Sequence, residues 1–173
     1  MTGFTAILAW VLAAQAPAPA QSRPAHVITM RADLESPAAS RTMVVLRGFV
    51  ERHPGVAAIE FRIAPPAGTV RAVDRAVLAA QAQNAGLGMA ELILANPDRR
   101  STDDFVAMAR QLRLDESFFR EALAGDGADR AAADDLAAAA AAKPPRPVIV
   151  AIDGEALASP PTLADLESRL VKR

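Results

Sequence analysis

Apolar positions along this chain change their period several times. The run His26-Val-Ile-Thr-Met30 is β-rich and sits between Pro24 and the segment Asp33 to Pro37, which predicts a buried strand. Ser36 followed by Pro37 reads as a helix N-cap and a first helical residue, and Met43, Val44, Leu46, Phe49 and Val50 then recur at helical spacing until His53-Pro54-Gly55. From Val56 to Ile63 the pattern alternates, Ile59, Phe61 and Ile63 against Glu60 and Arg62, as in a sheet strand. Beyond Ala64-Pro65-Pro66-Ala67-Gly68, one long alanine-rich helix is predicted from about Val70 to Leu94, loosened around Gly86-Leu87-Gly88 and ended by Asn96-Pro97-Asp98. Ser101 caps a helix carrying Phe105, Met108, Ala109 and Leu112, and Asp115 caps a short one carrying Phe118, Phe119 and Leu123. A further helix is expected from Asp126 to Ala142. The end returns to strand: Pro147 to Ile152, an Asp153-Gly154 hairpin turn, Glu155 to Leu157, then a last helix from Leu163 to Val171 opened by Thr162 and Asp165. The order is β-α-β, helices, β-β-α.

Composition narrows the class. Residues are 51% apolar and the formal net charge is −1, values that suit a folded chain and not a disordered one. No stripe of Arg and Lys is interleaved with aromatics, so no nucleic-acid partner is expected. Met1 to Ala16 is an uncharged apolar run closed by Ala14-Gln15-Ala16, which reads as a secretory signal peptide, too short for the about 20 apolar residues of a membrane-spanning helix. Residues 17–25 form a Pro/Ala-rich linker, leaving one domain over 26–171. The expected location is periplasmic or secreted, with membrane contact only if the N-terminal segment stays uncleaved. There is no cysteine and there are two histidines, too few for a metal centre, and nothing calls for a cofactor.

The segment Asp33-Leu34-Glu35-Ser36-Pro37-Ala38-Ala39-Ser40, placed between a strand and a helix, resembles the Asp-Phe-x-Cys-Pro-x-Cys turn of the DsbA-like thioredoxin-fold family of thiol–disulfide oxidoreductases. Further landmarks follow in order: Pro54-Gly55 after the first helix, Phe61-Arg62-Ile63-Ala64-Pro65 at the second strand, Met89 to Asp98, and Leu112-Arg-Leu-Asp115. Arg146-Pro147-Val-Ile-Val-Ala-Ile152-Asp-Gly154 is similar to the family's Thr-Pro-Thr-x-x-Ile-Asn-Gly, whose proline is cis. The resemblance spans residues 26–171. It implies an α/β thioredoxin fold with a helical insertion over about 70–142.

In that frame Ser36, Pro37, Ala38 and Ala39 form a degenerate active-site turn. Disulfide exchange needs an attacking thiolate and a second sulfur, and neither a hydroxyl nor a methyl supplies them, so that activity is not expected. The resemblance also implies a peptide-binding loop at Arg146, Pro147 and Val148, where an extended chain adds as a strand without any sulfur. Against this, Pro147 would merely open an ordinary strand. Ser36 reads either as a nucleophile or, far more simply, as a helix cap. Asp33 and Glu35 read as an acid/base pair or as capping and solvated groups, and the histidines as surface residues. Phe105, Met108, Phe118 and Phe119 read as packing between inserted helices, and Pro65-Pro66 and Pro160-Pro161 as plain turns. The leading expectation is non-catalytic binding of an extended polypeptide or an envelope protein partner, using the Pro147 loop and the adjacent groove between the helical insertion and the thioredoxin part, where the resemblance implies that partners bind. The alternatives are an enzyme of non-disulfide chemistry using Ser36, or a structural subunit of an envelope complex.

Overall fold

A computed structural model of the chain describes residues 24–66, 69–141 and 146–171. The expected signal peptide, nearly all of the linker and the last alanine of the long alanine run lie outside the described residues. Strand β1 (His26–Ala32) leads through helix α1 (Pro37–Arg52) to β2 (Ala57–Ile63). Six helices follow: α2 (Ala72–Gln81), α3 (Gly86–Ala95), α4 (Thr102–Gln111), α5 (Glu116–Ala124), α6 (Gly127–Ala131) and α7 (Ala133–Ala141). The chain closes with β3 (Val148–Ile152), β4 (Glu155–Ala156) and α8 (Leu163–Leu170).

The four strands lie in the order β2-β1-β3-β4. β1 pairs in parallel with β2, Met30 opposite Phe61, and antiparallel with β3, Met30 opposite Val150. A parallel pair needs a crossover, and α1 supplies it. β3 turns into β4 at Asp153 and Gly154, both left-handed (φ 50 and 89), as a two-residue hairpin of this composition requires. On β1, Ile28, Met30 and Ala32 are fully buried, while Arg31 projects from the opposite face and its Nη1 donates to Asp135 Oδ1 of α7 at 3.2 Å. The buried residues form a continuous cluster that runs from Met30, Phe49 and Leu166 of the sheet layer to Ile93, Phe105 and Phe119 of the helical insertion. Sheet and insertion thus share one core.

Three expectations need correction. The long helix over 70–94 is two helices, because the chain turns between Gln81 and Gly86 with Asn84 in a left-handed conformation (φ 60). Here α3 starts so close to α2 that a Cβ on Gly86 would sit 3.0 Å from Gln81 Cβ. The expected helix from Asp126 divides at Ala132 into α6 and α7. Finally, Phe118 does not pack with Phe105, Met108 and Phe119. Adjacent residues on a helix point about 100° apart, so with Phe119 buried its neighbour is left 48% exposed.

Candidate functional site

The turn that would carry two thiols joins β1 to α1. Ser36 is extended (φ −82, ψ 128), and its Oγ accepts the Ala38 N–H at 3.2 Å. Its own N–H donates to Asp33 O at 3.0 Å, and Pro37 occupies the first helical position, where no N–H is missed. One turn on, the Ala39 methyl is fully buried. Ser36 therefore serves as a helix cap. Neither histidine is free to act as its base: His26 Nδ1 lies 2.7 Å from Asp153 Oδ2, and His53 Nε2 lies 3.1 Å from Glu167 Oε1 on α8. His53 also packs its ring on Phe49 with centroids 5.0 Å apart. Both histidines are partly covered and paired rather than loose on the surface.

Asp33 Oδ1 accepts the Glu35 N–H at 3.0 Å and the Glu35 side chain stays half exposed, but the two carboxylates have a further partner. They meet an arginine that the sequence reading did not single out. Arg71, at the start of α2, donates from Nη2 to Asp33 Oδ1 at 2.7 Å and from Nη1 to Glu35 Oε2 at 2.6 Å. Its Nε donates to Asp74 Oδ2 at 2.9 Å, and the Arg71 backbone N–H donates to the same oxygen at 2.9 Å. Asp74 is fully buried, whereas the Arg71 side chain keeps about one-fifth of its exposure. Burial alone would lower the Arg71 pKa, but the Asp74 and Asp33 carboxylates outweigh it and raise it. The guanidinium thus fastens the helical insertion to the turn. A local signal existed for half of this network in the Arg71-x-x-Asp74 spacing; the link to Asp33 and Glu35 spans too much sequence to leave one.

The loop before β3 lies against the same turn, because the Asp33 N–H donates to Pro147 O at 2.8 Å. Arg146 and Pro147 are exposed, while Val148 is buried and pairs with Ala32. The Arg146 guanidinium donates to Ala158 O at 2.6 Å, which braces the loop against the segment after β4. Ser36, Pro37, Ala38 and Ala39 on one side and Arg146, Pro147 and Val148 on the other are therefore neighbours in space. No group of three or more metal-ligating side chains occurs among the described residues.

No protein-family model matches the chain, and no curated protein sequence does. Solved structures do match. A thioredoxin-like oxidoreductase from Silicibacter pomeroyi DSS-3 superposes with a TM-score of 0.65 at 16% identity, over 84% of each chain. The chain has a DsbA-like thioredoxin fold. The thiol-disulfide exchange protein alpha-DsbA2 from Wolbachia pipientis gives a TM-score of 0.63 at 13% identity, over 86% of this chain and 83% of that one. The MdbA protein from Corynebacterium diphtheriae, a thiol-disulfide oxidoreductase, gives 0.59 at 17% identity, over 82% and 81%. Within this DsbA-like fold the sheet, α1 and α8 make the thioredoxin part, and α2 to α7 make the helical insertion between β2 and β3. The DsbA-like thioredoxin fold is present without a single cysteine.

Proposed function

We propose that this is an exported, redox-inactive DsbA-like protein that binds an extended polypeptide of a protein partner at the Pro147 loop. The observation that carries the reading is the Asp33 N–H to Pro147 O hydrogen bond, which sets an exposed loop beside a turn that has lost its chemistry. With no thiol at Ser36 or Ala39, a peptide at this place is held by main-chain pairing and shape alone, as in strand addition. The apolar run of Met1 to Ala16 supports export, and among the described residues no helix is long and apolar enough to cross a membrane. Nothing in the geometry favours an enzyme built on Ser36, whose hydroxyl accepts from the Ala38 amide while both histidines face other carboxylates.

A crosslinking pull-down from the protein's own cell envelope, wild type against Pro147→Ala, tests the binding. Partners held by the wild type and lost from the variant are the expected result; an unchanged set of partners would remove the Pro147 loop from the reading. N-terminal sequencing of the protein recovered from fractionated cells tests export, with cleavage after Ala16 expected.

A further inference from the structure

The sequence holds two Asp-Gly bonds, Asp126-Gly127 and Asp153-Gly154, and no Asn-Gly. An Asp-Gly bond can rearrange without an enzyme. The glycine nitrogen attacks the aspartate side-chain carbon, a carbon–nitrogen bond forms as a carbon–oxygen bond breaks, and the N–H proton leaves with the hydroxyl as water. The product is a cyclic imide. Water then reopens the ring at either carbonyl, giving back aspartate or leaving isoaspartate, with the chain running through the side chain and the former main-chain carbonyl as a free carboxylate. Glycine favours the closure because no Cβ shields its nitrogen. The dipeptide is the same at both places, so their surroundings decide which one reacts.

Asp153 is restrained at both ends. Its Oδ1 accepts the Val27 N–H at 2.8 Å, its Oδ2 lies 2.7 Å from His26 Nδ1, and its own N–H donates to Val27 O at 2.9 Å. Both carboxylate oxygens are thereby committed to β1, while Gly154 is set in the hairpin with φ 89. The Val27 and His26 contacts also hold the Asp153 carboxyl below its ordinary range, and the ionised form is the poorer electrophile.

Asp126 has none of these restraints. It is exposed at the corner between α5 and α6, with Gly125 before it and Gly127 after it, and among the described residues its carboxylate takes part in no hydrogen bond. The Gly127 N–H opens α6 and has no intrahelical acceptor. A Cβ built on Gly127 would meet nothing within 4 Å, so no neighbouring element crowds that residue. The Arg130 N–H reaches Asp126 O only at 3.4 Å, beyond the usual range of about 2.7–3.2 Å, so the backbone at this corner is loosely held.

We propose that Asp126 is a site of isoaspartate formation in the native protein, and that the fold protects Asp153 in the same dipeptide. The carboxylate freed at residue 126 is the group that an isoaspartyl O-methyltransferase esterifies.

The test ages the purified full chain for several weeks at 37 °C and pH 6 in water enriched in oxygen-18. Its peptides are then mapped by mass spectrometry with electron-transfer fragmentation, which tells isoaspartate from aspartate, and unaged protein gives the background. Isoaspartate carrying oxygen-18 is expected at 126, roughly tenfold or more in excess of that at 153, because ring closure at 153 must first break charge-assisted hydrogen bonds. Methyl transfer to the aged protein by an isoaspartyl O-methyltransferase is expected to rise with it. Gly127→Ala, which open space accommodates, is expected to remove most of the conversion at 126. In guanidinium chloride, where the fold is lost, the two bonds are expected to convert alike. Isoaspartate at 126 no higher than in unaged protein, conversion at 153 equal to or above that at 126, absence of oxygen-18, conversion untouched by Gly127→Ala, or an excess at 126 that persists in guanidinium chloride each overturns the proposal.

Discussion

A single guanidinium decides how firmly the cysteine-free turn is held. Among the described residues Arg71 is the one cation hydrogen-bonded to Asp74, which is fully buried, and it also joins Asp33 and Glu35. Replacing it with alanine strands a buried carboxylate, and breaking such a pair costs roughly 3–5 kcal/mol, with the lower end expected because Arg71 itself touches solvent. Urea unfolding of Arg71→Ala against Asp33→Asn separates the two contacts: a large drop is expected for the first and a small one for the second, whose partner keeps Asp74. Equal effects would mean that the turn, not Asp74, is what Arg71 secures. Gly48 makes the converse case. Since a Cβ built on it meets nothing within 4 Å, Gly48→Ala is expected to raise stability by roughly 0.5–1 kcal/mol, measurable as a higher urea midpoint.

Elements were legible in the sequence wherever a local signal set their ends. Ser36-Pro37 and Pro54-Gly55 bracket α1, Ser101 and Asp115 cap α4 and α5, and Thr162 with Asp165 forms a complete capping box on α8. The break between α2 and α3 was not legible, because alanine continues through it and only Asn84 adopts the left-handed turn. Nor could spacing show which of two adjacent aromatics, Phe118 or Phe119, faces the core, since that depends on what α5 packs against. Cap energetics is testable on α4. Ser101 Oγ accepts the Asp104 N–H at 3.1 Å and donates to Asp104 Oδ2 at 2.6 Å. Hydrogen bonds from Ser101 and then from Arg99 hold the Asp104 carboxyl down to about 2. Ser101→Ala is expected to cost about 1 kcal/mol in urea unfolding and to move the Asp104 titration upward by NMR. A lost cap with an unmoved titration would assign the depression to Arg99 instead.

At the scale of the molecule, acid stability follows from two opposed sets of carboxylates. Asp104, Asp153, Asp165 and Glu116 are all depressed, by hydrogen bonds from Ser101, Val27, Thr162 and Arg110 respectively. A depressed folded-state pKa stabilises above the unfolded value and is lost as the pH falls through the folded one, so this set withdraws support below about pH 4. Glu91 and Asp135 are raised, chiefly by burial. Their charged forms weaken the fold near neutrality, and stability is regained as the pH falls through their folded pKa toward the unfolded value. Glu91→Gln isolates that second set, because it removes a charge that burial and Glu51 disfavour while Arg47 only partly offsets them. The variant is therefore expected to exceed the wild type in urea midpoint at pH 7, and the gap to close as the pH is lowered toward 4, where wild-type Glu91 takes up its proton. A variant weaker than the wild type at pH 7 would show that the Arg47 ion pair outweighs burial, and that Glu91 holds α1 to α3 through it.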